Sequence, residues 1–357
     1  MSTSSEILRR NAIANMRSPY DMGIICIDIT NKCDLACSNC TRLLANQDGF
    51  WDMSLENFRL AARSLADYPG IVAIIGGNPV MHRRFEDICA ILVEEIPEKE
   101  RRGLWTNNVF KFAELAKETF GIFNLNPHGV ERGVKSLEPL REGSWYHAGH
   151  SSHSPLLTAM QDLFDETEMW ERIGRCDINH NWSASIVENN GRLRAYFCEV
   201  AASFDLARGT DFGVDVEPGW WRRNVASFDD QVARFCPGCG VPAKVIGHMD
   251  FEEIDTYTQT NADIAEASLR KKRKIIVLDK AEARFLDHKV TEYSPKLRAE
   301  AQAHGADCAH EAATIAIPRP RSASTTSRIE LELAKFLCTI GLTRTGTRLW
   351  NAAKSRM

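Results

Sequence analysis

Three cysteines within eight residues are the part of the sequence whose type and spacing indicate chemistry most directly. They are Cys33, Cys37 and Cys40, in the order Cys-x3-Cys-x2-Cys. Three thiolates on one short loop can ligate three irons of a [4Fe–4S] cluster and leave the fourth iron open for an external ligand. The alternative is zinc, which normally takes four protein ligands, and Cys26 lies in a run typical of a strand. We therefore interpret the triplet as an iron–sulfur site.

A second set of four cysteines offers a complete ligand shell. Cys176 and Cys198 lie on either side of a predicted β-hairpin, and Cys236 and Cys239 form a Cys-x2-Cys about forty residues later. Four thiolates suit either an iron–sulfur cluster or a zinc ion, and the spacing alone permits both. The other cysteines are predicted to have no ligand role: Cys26, Cys89, Cys308, Cys338.

Three histidines are the candidates for acid–base chemistry. His147, His150 and His153 are crowded into one Gly/Ser-rich stretch. Imidazoles can orient the oxygen atoms of a substrate or move protons, and we predict this catalytic role for them. A metal site is the less favoured alternative, because neither a carboxylate nor helical spacing supports it. A surface loop with incidental histidines is the third interpretation.

The elements that must position these groups alternate between strand and helix. Ser54 has the character of a helix N-cap, and the apolar period of a helix follows each of the first three strands. This alternation predicts an α/β protein with a parallel sheet and outer helices, as a partial or complete (β/α) barrel. The predicted strands are residues 24–29, 71–75, 103–106 and 122–125.

Polar and glycine residues follow the second and third of these strands. Gly76, Gly77, Asn78 and Pro79 end the second strand, and Thr106 with Asn107 ends the third. Ligands in such folds collect at the carboxyl ends of the strands, where the cysteine triplet also lies.

The triplet and the Gly-Gly-Asn-Pro turn together resemble the radical S-adenosylmethionine (SAM) superfamily. In that family the triplet holds the catalytic [4Fe–4S] cluster, and a Gly-Gly-Glu-Pro-like turn binds the amino group of SAM. This sequence has Asn78 where the family has a carboxylate, and Asn39 where an aromatic residue often precedes the last cysteine. The resemblance implies SAM as cofactor, with Thr106 and Asn107 as further contacts.

The four-cysteine set resembles the twitch module, the shortened relative of the SPASM domain. That module holds one auxiliary [4Fe–4S] cluster in enzymes of the 2-deoxy-scyllo-inosamine dehydrogenase type, and cytosylglucuronate decarboxylases perform a neighbouring chemistry. The resemblance implies a 5′-deoxyadenosyl radical that takes a hydrogen atom from a sugar- or cyclitol-like small molecule, leading to dehydrogenation or decarboxylation. An electron donor such as flavodoxin or ferredoxin is the implied partner.

Two other functions are open at this stage. One is a radical SAM peptide maturase, which the short segment before the first strand disfavours, since it leaves no room for a peptide-binding leader domain. The other is a non-catalytic iron–sulfur or zinc protein, which Asn78 leaves open. We expect no nucleic-acid partner.

Composition sets the broad class of protein. The 357 residues carry a net charge of −4, and 44% of them are hydrophobic, as in ordinary soluble globular proteins. The sequence has no apolar run of membrane-spanning length and no signal-peptide pattern, so a cytoplasmic location is expected. The odd number of cysteines, eleven, cannot pair completely within the chain.

We predict three regions along the chain. Residues 20–170 form the radical SAM barrel core, residues 171–260 the auxiliary-cluster module, and residues 261–357 a partly helical extension with a Pro/Ser-rich linker near 318–327. A helical stretch is also expected over residues 156–164. The last forty residues contain eight Lys/Arg and two Asp/Glu, and this basic tail is predicted either to pack on the domain or to contact a partner or an anionic surface.

Overall fold

A computed structural model describes residues 3–245, 247–270 and 274–278. The predicted linker near 318–327, the basic amphipathic tail, Cys308 and Cys338 lie outside the described residues.

The described part of the chain is a mixed α/β structure. The strands are β1 (Ile24–Asp28), β2 (Ile71–Ile75), β3 (Arg102–Thr106), β4 (Ile122–Leu125), β5 (Trp145–Tyr146), β6 (Ser183–Asn189), β7 (Arg192–Tyr196), β8 (Val214–Asp215), β9 (Ile254–Tyr257) and β10 (Lys274–Val277). The α-helices are α1 (Ser4–Asn15), α2 (Leu55–Ser64), α3 (Phe85–Glu95), α4 (Ala113–Thr119), α5 (Glu131–Leu137), α6 (Met160–Leu163), α7 (Glu166–Ile173), α8 (Asp177–Asn181), α9 (Glu199–Arg208), α10 (Asp229–Phe235) and α11 (Ala262–Arg270).

Eight strands form one open sheet in the order β5-β4-β3-β2-β1-β6-β7-β8. Strands β1 to β5 run parallel, β6 pairs parallel to β1, and β7 and β8 add antiparallel pairs. The predicted α/β class is confirmed, and the sheet is consistent with a partial (β/α) barrel. A separate pair, β9 and β10, runs parallel.

The hairpin between Cys176 and Cys198 belongs to this sheet. Strands β6 and β7 are antiparallel around Asn190 and Gly191, which both have positive φ, at 50° and 76°. Two positive φ values define the tight turn that an Asn-Gly pair favours. The predicted hairpin is confirmed, and its pairing with β1 places it next to the strand that leads to the cysteine triplet.

The two faces of the sheet differ in what they bury. Ile25 and Ile27 point into the large core beneath the helices. Alternate residues of the same strand, Cys26 and Asp28, point to the opposite face, as the two-residue period of a strand requires. There Cys26 packs with Ile24, Ile71, Ala73 and Trp105 in a small apolar cluster, while Asp28 contacts polar side chains.

Local sequence signals predicted several of these elements. Strands β2 and β4 have the predicted bounds, and Ser54 caps α2 by accepting from the backbone N–H of Asn57 at 3.2 Å. The helix expected over residues 156–164 was wrong in extent, since only Met160–Leu163 is α-helical. Residues 155–158 instead form a turn in which Pro155 accepts from Thr158, and Gly240 donates to Leu156.

Two further elements lie between β4 and the histidine loop. Helix α5 and the short strand β5 precede His147, so the histidine loop follows a fifth parallel strand. The described beginning of the predicted extension also has regular structure. Ile264 and Ala265 of α11 are buried, and the side chain of Asn46 donates to the carbonyl of Ile264.

Candidate functional site

The Gly-Gly-Asn-Pro turn packs directly on the residues that precede the cysteine triplet. The N–H of Gly77 donates to the carbonyl of Thr30 at 2.8 Å, and the N–H of Asn78 donates to that of Lys32 at 2.7 Å. A Cβ at Gly76 would lie 2.2 Å from the oxygen of Thr30, and Gly76 has a φ of +144°. Both glycines are therefore required by the close approach of two backbone segments.

Backbone N–H groups surround the thiols of the triplet. Burial raises the pKa of Cys33 to about 12 and also raises that of Cys40, while N–H groups of Arg42 and Leu44 act in the opposite direction on Cys40. The charge of Cys40 raises the pKa of Cys33, so these two thiols lie near each other. Buried thiols with N–H donors are the environment in which cluster-ligating cysteines are found.

Residues 249–256 pack against the segment between Cys37 and Cys40. The N–H of Ser38 donates to the carbonyl of Asp250, and that of Asn39 donates to the Asp255 carboxylate at 3.0 Å. The side-chain oxygen of Asn39 accepts from the N–H of Thr256 at 2.9 Å. The predicted auxiliary region thus supports the loop that carries the triplet.

One polar atom on this loop is left without a partner among the described residues. It is Nδ2 of Asn39, which is buried. Its identity as the amide nitrogen follows from the other side of the group, since Oδ1 accepts from Thr256. An N–H donor between two cysteines suits a site that holds a sulfide-rich cluster, because hydrogen bonds to the sulfurs tune such clusters.

Asn78, Thr106 and Asn107 lie together around a carboxylate that the sequence did not single out. Asn78 is fully buried, and its Oδ1 accepts from the hydroxyl of Thr106 at 2.8 Å. The Nδ2 atoms of Asn78 and Asn107 donate to Oδ1 of Asp34, at 3.3 and 2.9 Å. Asp34 directly follows Cys33, so this network joins the turn after β2, the end of β3 and the cysteine loop.

The histidine loop is built around a second buried carboxylate, Asp250. The Nδ1 atoms of His150 and His128 lie 2.8 and 2.9 Å from its two oxygens, and the N–H of Ser151 donates to it at 2.9 Å. Burial opposes ionisation of Asp250, but the hydrogen bonds from His128 and Ser151 outweigh it, so its pKa lies below the ordinary value. Asp250 thereby fixes two imidazoles with their Nδ1 atoms inward.

The three predicted histidines have different surroundings. His150 contacts Asp250, and its ring packs edge-on against Phe251. His153 lies 3.1 Å from the carbonyl of Ser38, and its ring packs edge-on against that of His128. The Nε2 atom of His147 lies 3.5 Å from the carbonyl of His150. The loop therefore lies against the cysteine segment, and the assignment of a catalytic role to these residues stays a prediction.

The four cysteines of the second set come from three segments of the chain, and their charges influence one another. Cys176 and Cys198 are the N-caps of α8 and α9, and Cys236 is the C-cap of α10. Burial raises the pKa of Cys176 to about 11 and of Cys239 to about 12, and it raises that of Cys198 well above the ordinary value. The charges of the other three cysteines add to the rise at Cys236.

Backbone amides also reach this second set. Backbone N–H groups of Asn179 and Ile178 oppose the rise in the pKa of Cys176 that burial causes. The N–H group of Ala201 opposes the corresponding rise at Cys198. These are the free amides at helix N-termini, which favour a thiolate over a thiol. The donor set therefore suits an anionic, thiolate-ligated group, and its ligand role stays a prediction.

A buried ion pair network connects the two cysteine-bearing segments. Arg42 follows the triplet by two residues, and Glu199 directly follows Cys198. The Arg42 Nη2 atom lies 3.0 Å from Glu199, and its Nε lies 3.3 Å from Asp28. Burial raises the pKa of Asp28, with the charge of Arg42 opposing the rise. All three side chains are less than a tenth exposed, so the loop and helix α9 are held in a fixed relation.

Two kinds of feature are absent from the described residues. No group of three or more His, Cys, Asp or Glu side chains in the described ranges is arranged to hold a single metal ion. Within the same ranges, no helix is long and apolar enough to cross a membrane.

The sequence reasoning missed four residues of this site. Asp34 was visible as the only acidic residue within the triplet, but nothing local linked it to the asparagines. His128 and Asp250 are 122 residues apart, and Arg132 lies 98 residues from its partner Asp34. Contacts over such separations leave no periodic signal in a single sequence.

Comparisons with known proteins give a likeness to solved structures. No family model matches the chain, and no curated protein matches it. One similar solved structure is titled "Crystal structure of BtrN in complex with AdoMet and 2-DOIA". It is 14% identical, with a TM-score of 0.41, and the match covers 61% of this chain and 92% of that chain.

Proposed function

We propose that this chain is a radical SAM enzyme with two [4Fe–4S] clusters. Cys33, Cys37 and Cys40 would hold the SAM-binding cluster. The auxiliary cluster would be held by the second set, Cys176, Cys198, Cys236 and Cys239. The observation that carries the proposal is the packing of the Gly76–Gly77 turn on Thr30 and Lys32, immediately before the triplet.

The chemistry comes from the bound groups, and the protein must position and shield them. Held by Cys33, Cys37 and Cys40, the cluster together with SAM would supply one-electron reductive cleavage of SAM and, through it, removal of a hydrogen atom from the substrate. Gly76, Gly77, Asn78 and Pro79 would border the SAM site, together with Thr106 and Asn107. The buried Nδ2 of Asn39 would donate to a cluster sulfur.

The second set supports an oxidative outcome. If all four thiolates ligate the auxiliary cluster, no iron there is free to bind a substrate, and the cluster is left with electron transfer or structural support. Held by the four thiolates, such a cluster would supply an electron acceptor for oxidation of the substrate. We therefore propose dehydrogenation or decarboxylation, with a flavodoxin or ferredoxin as electron donor and a cytoplasmic location.

The polar character of the histidine loop supports the proposed substrate class. His150 and His128 are fixed by Asp250, and His153 reaches the carbonyl of Ser38 between two of the cysteines. Imidazoles oriented in this way can hydrogen-bond hydroxyl groups and accept a proton from a carbon or oxygen that is being oxidised. We propose a sugar- or cyclitol-like small molecule, with His147, His150 or His153 orienting oxygens or moving protons.

Isotope transfer tests the proposal. Anaerobically reconstituted protein with SAM, dithionite and sugars or cyclitols deuterated at ring carbons is expected to carry deuterium into 5′-deoxyadenosine for the true substrate. A panel of unlabelled compounds and the triple variant with Cys33, Cys37 and Cys40 changed to Ala provide the controls. Label transfer and turnover found only with a peptide encoded next to this gene would show that the chain is a peptide maturase instead.

A further inference from the structure

A buried asparagine outside the second cysteine set holds the loop between Cys236 and Cys239. The Nδ2 atom of Asn261 donates to the carbonyl of Gly238, which lies inside this loop, at 2.8 Å. The same nitrogen donates to the carbonyl of Leu157 at 2.8 Å. Asn261 is fully buried, and these two carbonyls use both N–H groups of its amide.

The oxygen of the same amide is bound by helix α9. Oδ1 of Asn261 accepts from Nη2 of Arg208 at 2.8 Å. Because arginine can only donate, this contact fixes which way the amide is turned. Helix α9 has Cys198 as its N-cap and Arg208 as its last residue. Asn261 therefore connects the Cys236–Cys239 loop with the helix that begins at another cysteine of the set.

Backbone atoms also hold this loop in place. The carbonyl of Pro237 accepts from the N–H of Gln161 at 3.0 Å, and the N–H of Gly240 donates to the carbonyl of Leu156 at 2.8 Å. These main-chain contacts do not depend on the identity of a side chain. The contact from Asn261 does, so a substitution can remove it and leave the others in place.

We propose that Asn261 is a positioning residue for the second cysteine set and determines how tightly that set retains the group it ligates. The assignment rests on the proposed role of the four cysteines as ligands. Outer hydrogen bonds orient the residues that ligate a metal, and loss of one such partner typically weakens metal binding about 10- to 100-fold. Asn261 lies just beyond the region predicted to hold the auxiliary cluster, residues 171–260, so cysteine spacing does not indicate it.

Competition with an iron chelator tests the assignment on full-length, anaerobically reconstituted chains that keep one cysteine set at a time. The variant with Cys33, Cys37 and Cys40 all changed to Ala leaves only the second set to hold iron. In that background, Asn261→Ala is expected to lower the chelator concentration that removes half of the iron by about 10- to 100-fold. In the Cys198→Ser background, where only the first set is complete, Asn261→Ala is expected to leave this concentration unchanged.

Two further variants separate the hydrogen bonds of Asn261 from general effects of substitution. Asn189→Ala is the matched control, because Asn189 is also buried and donates through Nδ2 to a carbonyl, that of Thr210, at 2.6 Å. It is expected to change iron retention at neither set. Asn261→Asp keeps an oxygen that can accept from Arg208 and loses both N–H donors, so it is expected to weaken retention as Asn261→Ala does. It decides the question if circular dichroism shows that Asn261→Ala does not fold.

The outcomes also separate this inference from the proposed function. Unchanged iron retention at the second set in both Asn261 variants would overturn the role of Asn261 alone. Equal losses at both sets would overturn it too, since they would show that Asn261 supports the fold as a whole. Zinc in place of iron at the second set, held less tightly in Asn261→Ala, would overturn the auxiliary cluster and support the role of Asn261. A second set that holds no metal at all would overturn both.

Discussion

Neutralising Asp250 tests whether this carboxylate holds the histidine loop on the cysteine segment. Its side chain is 1% exposed, and three N–H or ring-nitrogen groups lie 2.8–2.9 Å from its oxygens: those of His128, His150 and Ser151. A hydrogen bond to a charged group contributes about 1 kcal/mol more than a neutral one. Asp250→Asn is therefore expected to lower the free energy of unfolding by about 3 kcal/mol at pH 7.

The pH dependence of this loss shows whether it comes from the charge of Asp250 or from the shape of its side chain. The pKa of Asp250 is lower in the folded protein than its usual value of about 3.9, so its ionisation stabilises the fold above that pH. The stabilisation is lost as the pH falls through the lower, folded-state pKa. The difference between wild type and Asp250→Asn should consequently be constant at neutral pH and shrink below about pH 4.

Urea titrations of the reduced apoprotein, followed by circular dichroism from pH 7 to pH 3, measure this difference. Asp87→Asn serves as a control, because Asp87 is an exposed carboxylate that also accepts from an arginine. A loss below about 0.5 kcal/mol for Asp250→Asn, or one that does not change with pH, would refute the reasoning, since neither fits a buried, ionised acceptor.

Three further changes probe the cluster sites and the network between them. Cys198→Ser is expected to reduce the iron content of reconstituted protein from about eight to about four per chain, while Cys89→Ser keeps about eight, as measured by iron analysis. Glycine at position 39 tolerates the positive φ found there, so Asn39→Gly should leave the iron content unchanged. Because the change removes an N–H donor, it should lower the reduction potential of the first cluster. An unchanged potential in a spectroscopic redox titration would contradict this. Arg42→Met is expected to lower the free energy of unfolding, measured in urea, by about 3–5 kcal/mol, because it leaves Asp28 and Glu199 buried without their cation. A second change, Glu199→Gln, should recover part of that loss, because it removes one of the two unpaired charges.

The elements near the triplet could be predicted because each has a local signal. Residues 71–75 are apolar, mostly β-branched, and bounded by Gly76, and the structure has a strand with those bounds. The Asn190-Gly191 turn was equally clear, since two positive φ values suit few other residue pairs. Strand β5 is two residues long and has no period to detect, so it was missed.

The supporting groups of the site were not predictable by the same means. Asp250 and His128 meet through tertiary packing of distant segments, and a lone aspartate or histidine is unremarkable in a local window. The sequence predicted the roles of Gly76 and Gly77 only in part. It indicated a turn, but their contact with Thr30 and Lys32 depends on the pairing of β1 with β2. The residues that could perform chemistry could thus be identified from the sequence, whereas the groups that orient them could be identified only from the fold.

Reductive cleavage of SAM is the measurement that tests the central claim most directly. Protein reconstituted under nitrogen with iron and sulfide, then mixed with SAM and dithionite, is expected to release 5′-deoxyadenosine and methionine in equal amounts, detected by chromatography. The variant with Cys33, Cys37 and Cys40 all changed to Ala should release neither while keeping the second cluster. Wild-type protein that contains both clusters and leaves SAM intact, or a triple variant that cleaves SAM as fast as wild type, would contradict the assignment of this chain as a radical SAM enzyme.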